Sequence, residues 1–140
     1  MKLPIKKLHP AATVPQYKRA GDIALDIYSC ETKTVAAGQR TIISTGIAVA
    51  IPIGYGGLIW DRSGLAANYG LTILAGVIDS NYRGEIMIVL FNTTDQDYKV
   101  QKDDRVAQMI IQPIVNPDIV PVDDLDSTER GEARFASTGR

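Results

Sequence analysis

"RTIISTGIAVAIP" occupies residues 40–52, and its second half sets Ile47, Val49 and Ile51 on one face with a period of two. That alternation belongs to a β-strand; a helix would repeat its apolar positions every three or four residues. Working outward, "GEIMIVLFN" (84–92) and "RVAQMIIQPIV" (105–115) are apolar on both faces. The intervening "AAGQ", "IGYGG", "NTTDQD" and "VNPD" carry the Gly, Asn, Asp and Pro that turns require. Many short strands broken by regular turns predict an all-β barrel or sandwich. Strands apolar on both faces need cover on both sides, supplied either by further copies of the chain or by a tightly closed single-chain sandwich.

One segment reads as helix. In "DRSGLAANYG" (61–70), Ser63 suits the N-cap and Gly70 the left-handed position after the last turn, leaving about one and a half turns. So short a helix depends on packing. There is no repeat, linker or low-complexity stretch. The one boundary falls near residue 126, giving a β domain over 1–126 and a polar arm over 127–140 that ends "RGEARFASTGR".

The bulk numbers exclude more than they identify. At 140 residues and 45% hydrophobic, the chain is long enough for one domain with a real core. A formal net charge of −1 argues against a general nucleic-acid or membrane-surface binder. Cys30, the single cysteine, forms no intrachain disulfide, which fits a reducing compartment. The N-terminal "MKLPIKKLHP" is too interrupted by Pro and Lys for a signal peptide. A soluble, intracellular domain is the expectation.

Five segments could carry chemistry. "GVIDSNYRGEI" (76–86) reads first as a β-hairpin, with Asp79 opening its turn and Ser80-Asn81 at the centre. A carboxylate, a tyrosine and an arginine around one tight turn also suit a ligand, and a hairpin tip exposes backbone groups that can read a flat polar one. Arg62 and Ser63 stand at the start of the short helix, where N–H groups and the dipole favour anions; simple capping is the plainer reading. Gln108 interrupts an apolar strand, either to bind a ligand or to satisfy a neighbouring backbone group. Asp26, in "ALDIYS" (24–29), must face solvent or meet a cation or water network. The arm keeps one large aromatic, Phe135, in a stretch whose composition otherwise suits an unstructured end.

Taken in order, these segments resemble the homotrimeric deoxyuridine triphosphate pyrophosphatases (dUTP nucleotidohydrolases), whose five motifs run here from residue 24 to 139. The match is close at "RSGLA" (62–66), "GVIDSNYRGEI" (76–86) and "DRVAQMI" (104–110), and partial at "ALDIYS" and in the arm. The resemblance implies a small jelly-roll-like β-barrel of the β-clip type, assembled as a homotrimer with shared active sites and closed by a mobile C-terminal arm. It implies hydrolysis of dUTP to dUMP and pyrophosphate by water attack on the alpha phosphorus. That reaction limits uracil incorporation in DNA and supplies dUMP for thymidylate synthesis. Asp79 would hold and deprotonate the water, and Tyr82 would pack under the deoxyribose and exclude a 2′-hydroxyl. Backbone around Gly76, Val77 and Ile78, with Met87 nearby, would surround the nucleoside and read the uracil edge. Arg62, Ser63, Gly64 and Gln108 would hold the phosphates. From another subunit's arm, Arg130 would meet the terminal phosphates, Phe135 would stack on the base, and Ser137 and Thr138 would donate hydrogen bonds. Mg2+ would ride on the phosphates, reached by Asp26 through water only. The sequence has no His cluster and His9 is alone, which agrees with the absence of a dedicated protein cage.

The chain departs from the family pattern in places. Ala133, Arg134 and Ala136 stand where glycines are common, and a left-handed backbone there would cost each roughly 1–2 kcal/mol. Ala24-Leu25 replaces Gly-Tyr, Asp103 replaces a glycine, and Asp61 replaces a proline, where it is placed to pair with Arg62. Two other functions compete. A deoxycytidine triphosphate deaminase or a bifunctional deaminase–pyrophosphatase on the same fold needs a proton-shuttling glutamate, and Glu85 is the nearest to the expected hairpin turn. A nucleotide-sensing or protein-binding member would bind dUTP and turn it over slowly.

Overall fold

The computed structural model describes residues 1–132 and contains, among them, eleven strands and one helix. They run β1 (Ile5–Lys7), β2 (Leu25–Tyr28), β3 (Lys33–Val35), β4 (Arg40–Ser44), β5 (Ile47–Val49), β6 (Tyr55–Trp60), α1 (Ser63–Tyr69), β7 (Leu71–Ile73), β8 (Val77–Ile78), β9 (Met87–Asn92), β10 (Tyr98–Val100) and β11 (Arg105–Pro113). A four-stranded sheet of order β2-β11-β6-β8 and a three-stranded sheet of order β4-β9-β7 form the main walls. The pairs β1-β5 and β10-β3 complete a jelly-roll-like β fold, and every pairing is antiparallel. Neighbours along the chain seldom pair, so the sheets are knitted by long-range contacts.

Between the walls lies one apolar core that includes Ile27, Ile43, Ile47, Val49, Ile51, Ile86, Ile88, Leu90 and Met109. The period-two face expected at 47, 49 and 51 is buried, and Ala48 is buried with it. In β9 the alternation is sharp: Ile88, Leu90 and Asn92 point inward while Met87 is about half exposed. The outward faces of several strands stay apolar and open, with Val77 at 74%, Trp60 at 56% and Ile42 at 51% exposure. A single chain therefore does not close over both faces of its own sheets.

Among the described residues, every buried side-chain polar atom has a hydrogen-bond partner. Asn92 donates to the carbonyls of Val35 (3.1 Å) and Gln96 (2.7 Å), and its Oδ1 accepts from the Thr94 N–H (3.0 Å) and hydroxyl (2.8 Å). It thus ties the end of β9 to β3 and to the following turn. The helix corrects the capping expectation. The N-cap is Arg62, in an extended conformation, and Ser63 is the first helical residue and makes no side-chain cap. The helix has seven residues, about two turns rather than one and a half. Gly70 does close it in the left-handed conformation (φ 61°), and its carbonyl accepts from the Thr93 N–H and hydroxyl. None of its residues is buried, so α1 is held by partial contacts such as Leu65 on the core and Tyr69 on Tyr98, ring centres 5.0 Å apart. The last strand ends at Pro113, ahead of the boundary expected near 126. Residues 114–132 add no strand or helix, and leave Val115, Ile119, Val120 and Leu125 exposed.

Asn92→Ala removes four hydrogen bonds from a buried site, two of them donated to the Val35 and Gln96 carbonyls. A loss of about 2–4 kcal/mol is expected, read as a lower midpoint in chemical denaturation. A change below about 1 kcal/mol would contradict the role given to Asn92.

Candidate active site

The register of three strands builds the first half of the site. Gln108 on β11 lies opposite Asp26 on β2 and opposite Trp60 on β6. Residues directly across a ladder share a face, so this cross-strand row brings an acid and an amide to one surface of the sheet. Asp26 is only 8% exposed, and its two oxygens each meet a guanidinium: Arg62 Nε at 3.2 Å and Arg105 at 3.2 Å. This answers the demand that a carboxylate in an apolar strand find a cation. Arg62 also donates to the Arg105 carbonyl (3.2 Å), so the two arginines are fixed relative to each other. Gln108 donates to the Asp61 carbonyl at 2.8 Å, which aims the amide and orders the chain just before α1.

Asp61 does not pair with Arg62. Its carboxylate accepts from the Ile73 N–H (2.7 Å) and the Thr72 hydroxyl (2.9 Å) of β7, because those unpaired donors face it while Arg62 is drawn to Asp26. The outcome is a polar cleft of about 460 Å³ lined by Asp26, Arg62, Ser63, Arg105 and Gln108, with Lys18 and Arg19 at its border. Arg105 was not singled out from the sequence. Its signal was indirect: a buried acid on β2 has two oxygens to satisfy, and Arg105 sits on the strand paired with it, where the register shifts between Arg105 and Ala107. Nothing in the sequence pointed to Lys18 or Arg19. Gly64 is exposed in the first turn of α1, outside this cleft.

The 76–86 segment is not a β-hairpin. Val77 and Ile78 pair with Leu58 and Gly57 of β6, whereas Met87 begins a strand of the other sheet, opposite Ser44. The segment instead crosses from one wall to the other. The tight turn survives within it: the Tyr82 N–H donates to the Asp79 carbonyl (3.1 Å), with Ser80 and Asn81 between them. Asp79 is exposed at the mouth of a cavity of about 440 Å³ that it shares with Tyr55, Val77, Ile78 and Asn81. Arg83 folds back to donate to the carbonyls of Ser80 and Tyr82, each at 2.7 Å, and so braces the turn. Tyr82 is partly exposed and its hydroxyl donates to the Glu85 carbonyl at 2.9 Å. Glu85 itself is engaged, accepting from the Ser44 hydroxyl and from the Gly46 N–H at 2.7 Å, so it does not extend toward a ligand.

Gly76 sets the entry to this segment. Its φ is 151°, its carbonyl accepts from the Ile59 N–H at 2.7 Å, and a Cβ there would come 2.7 Å from the Ile59 carbonyl oxygen. Asp103, standing where the family usually has glycine, is in the left-handed region (φ 69°). Its carboxylate accepts from Thr13 (2.7 Å) and meets Lys102 (2.6 Å), and these hydrogen bonds, Lys102's foremost, hold it below the usual aspartate range.

The cation cleft and the Asp79 cavity share no lining residue. Arg130 is exposed in the stretch after β11 and lines neither, and Phe135, Ser137 and Thr138 fall outside the described residues. Among the described residues, no three His, Cys, Asp or Glu side chains gather into a metal-holding set. No helix among them is long and apolar enough to cross a membrane.

Comparison with known proteins gives the family. The dUTPase family model matches residues 11–139. The chain belongs to the dUTPase family. The deoxyuridine 5′-triphosphate nucleotidohydrolase of Paramecium bursaria Chlorella virus 1 is 48% identical over 135 residues, 96% of each chain. Among solved structures, the dUTPase of Staphylococcus bacteriophage 80alpha with dUPNHPP superposes with a TM-score of 0.92 at 30% identity, covering 99% of both chains. A mutant dUTPase from phage phi11 of S. aureus, reported with a structural Mg(II) ion, gives a TM-score of 0.83 at 27% identity and covers 89% of this chain and 98% of that one. Within this dUTPase the loop crossing the walls carries Asp79 and Tyr82, while Arg62 at the N-cap of α1 and Arg105 on β11 are the cations held by Asp26.

Gly76→Ala forces a Cβ against a backbone carbonyl in a conformation that disfavours it. A loss of about 2–3 kcal/mol is expected, with loop 76–86 displaced and faster hydrogen exchange at the Ile59 amide. Unchanged stability and exchange would contradict the close approach.

Proposed function

We propose that this dUTPase hydrolyses dUTP to dUMP and pyrophosphate, with Arg62, Ser63, Arg105 and Gln108 receiving the triphosphate and Asp79 activating the attacking water. The observation that carries the assignment is the cleft in which Arg62 and Arg105 are fixed by Asp26 and bordered by Ser63 and Gln108. Fixed guanidiniums bind phosphate oxygens through planar, charge-assisted hydrogen bonds at little ordering cost. One acid against two arginines leaves the pair with an excess of positive charge for an anion.

Asp79 stands exposed in a braced turn, where its carboxylate can accept a proton from water. The hydroxide adds to the alpha phosphorus, the bond to the bridging oxygen breaks, and pyrophosphate leaves as the cations hold its charge. Tyr82 packs under the sugar and leaves no room for a 2′-hydroxyl. Backbone groups from Gly76 to Ile78, with Met87 beside them, read the uracil edge, and a wrong base leaves those groups unpaired.

The donor set fits a metal ion carried by the substrate: Asp22 and Asp26 are the carboxylates lining the cation cleft, Asp26 is already paired with two arginines, and among the described residues no three His, Cys, Asp or Glu side chains gather into a cage. Asp26 would reach Mg2+ through water, and the ion, when bound, would neutralise phosphate charge and help align the leaving group.

Two observations support a homotrimer with shared sites. The Asp79 cavity and the cation cleft have no residue in common, and apolar strand faces stand open on the single chain. A second copy would bring one half of the site to the other. The arm would complete it: Arg130 at the terminal phosphates, Phe135 stacked on the base, Ser137 and Thr138 donating to phosphate. The deaminase alternative is disfavoured because Glu85 is spent on Ser44 and Gly46.

Pyrophosphate release from dUTP, dCTP, dTTP and UTP with magnesium tests the assignment. Turnover of dUTP alone is expected, reduced about 100-fold or more in Asp79→Asn. Equal turnover of UTP would remove the sugar filter, and undiminished turnover in Asp79→Asn would remove the base. Tight dUTP binding with almost no pyrophosphate released would instead favour the sensing reading.

A further inference from the structure

We infer that Glu85 is a positioning residue for Tyr82, and that through Tyr82 it sets the discrimination between deoxyribose and ribose; this rests on the sugar-packing role given to Tyr82 above. Residues 76–86 form no hairpin. Because residues 79–86 cross between walls, no ladder of cross-strand hydrogen bonds holds Tyr82 in place. A side chain that rejects one hydroxyl by contact must be held to within a fraction of an ångström. Something else must hold it.

The phenol supplies the first link by donating to the Glu85 carbonyl at 2.9 Å. The ring lies across Gly84 so closely that a Cβ there would come 2.6 Å from the Tyr82 Cζ. The second link is the Glu85 side chain. One carboxylate oxygen accepts both from the Ser44 hydroxyl and from the Gly46 N–H (2.7 Å), in the connection between β4 and β5. The third link is Ile86, which is buried and pinned on both sides: its N–H donates to the Ile47 carbonyl (2.9 Å) and its carbonyl accepts from Thr45 (2.5 Å). Ser44 is itself tied down, its N–H donating to Glu31 at 2.8 Å and its hydroxyl 3.1 Å from Cys30 Sγ. The peptide that Tyr82 grips is thus stapled to the β4–β5 connection by a carboxylate, and the phenol inherits that rigidity.

A merely structural Glu85 would affect stability alone, so the ratio of kcat/KM for dUTP over UTP is the deciding readout. Glu85→Ala is expected to lower that ratio about tenfold, while Glu85→Gln, whose amide oxygen can still accept from Gly46, keeps it within about twofold. In a Tyr82→Phe background, which already lacks the grip on the Glu85 carbonyl, adding Glu85→Ala should change the ratio little. A Glu85→Ala protein with a lower melting temperature and an unchanged ratio would overturn the inference. Tyr82→Ala separates the two levels. If it leaves the ratio intact, the sugar-packing role of Tyr82 fails and takes the inference with it. If it collapses the ratio while Glu85→Ala does not, only the inference fails. Should Glu85→Ala not fold, Ser44→Ala carries the same test, with a loss of a few-fold expected and no change overturning it.

Discussion

The two ion pairs on Asp26 organise the site. A carboxylate this buried is tolerable only when both oxygens are answered, and here the answers come from two different elements: Arg62 at the entry to α1 and Arg105 at the start of β11. Satisfying one acid therefore fixes two guanidiniums. It also ties β2, the β6–α1 junction and β11 at a common point, where Gln108 holds the Asp61 carbonyl. The cost of burying charge is offset by an arrangement that a triphosphate can use.

The fold class was legible because the strands declare themselves by period. Ile47, Val49 and Ile51 alternate as a half-buried strand must, and their burial follows. Pairing was not legible. Local turn chemistry at Asp79–Tyr82 is the same whether the flanking strands pair with each other or with opposite walls, and nothing in "GVIDSNYRGEI" states that β8 joins β6 while β9 joins β4 and β7. Ser63 misled for a similar reason: a residue favoured at the N-cap is equally at home one position later, and Arg62 took the cap because Asp26 holds its side chain. For the site, Asp26, Arg62 and Gln108 were legible as polar residues in apolar or helix-start contexts. Arg105 was not, since an arginine at a strand end is unremarkable until the acid opposite is known to be buried.

The separation of the two clefts links fold to function. Asp79 sits where the crossing segment leaves the four-stranded sheet, and the cations sit on the β2–β11–β6 face. Val77, Trp60 and Ile42 are exposed on the same molecule, and apolar residues continue along 114–132 without a strand to join. The proposed homotrimer would resolve both the open apolar faces and the divided site by association. The reading in which a closed single chain covers both sheet faces has no support in these exposures.

In the proposed assembly an acid from one copy works with cations from another, and two inactive variants should then complement each other. Asp79→Asn and Arg62→Ala are co-expressed at equal levels, so that every chain carries one lesion. If a site draws Asp79 and Arg62 from different copies, about a quarter of sites receive both intact, and about a quarter of wild-type dUTP turnover returns. If each chain builds its own site, every site is damaged and turnover stays at the level of the separate variants.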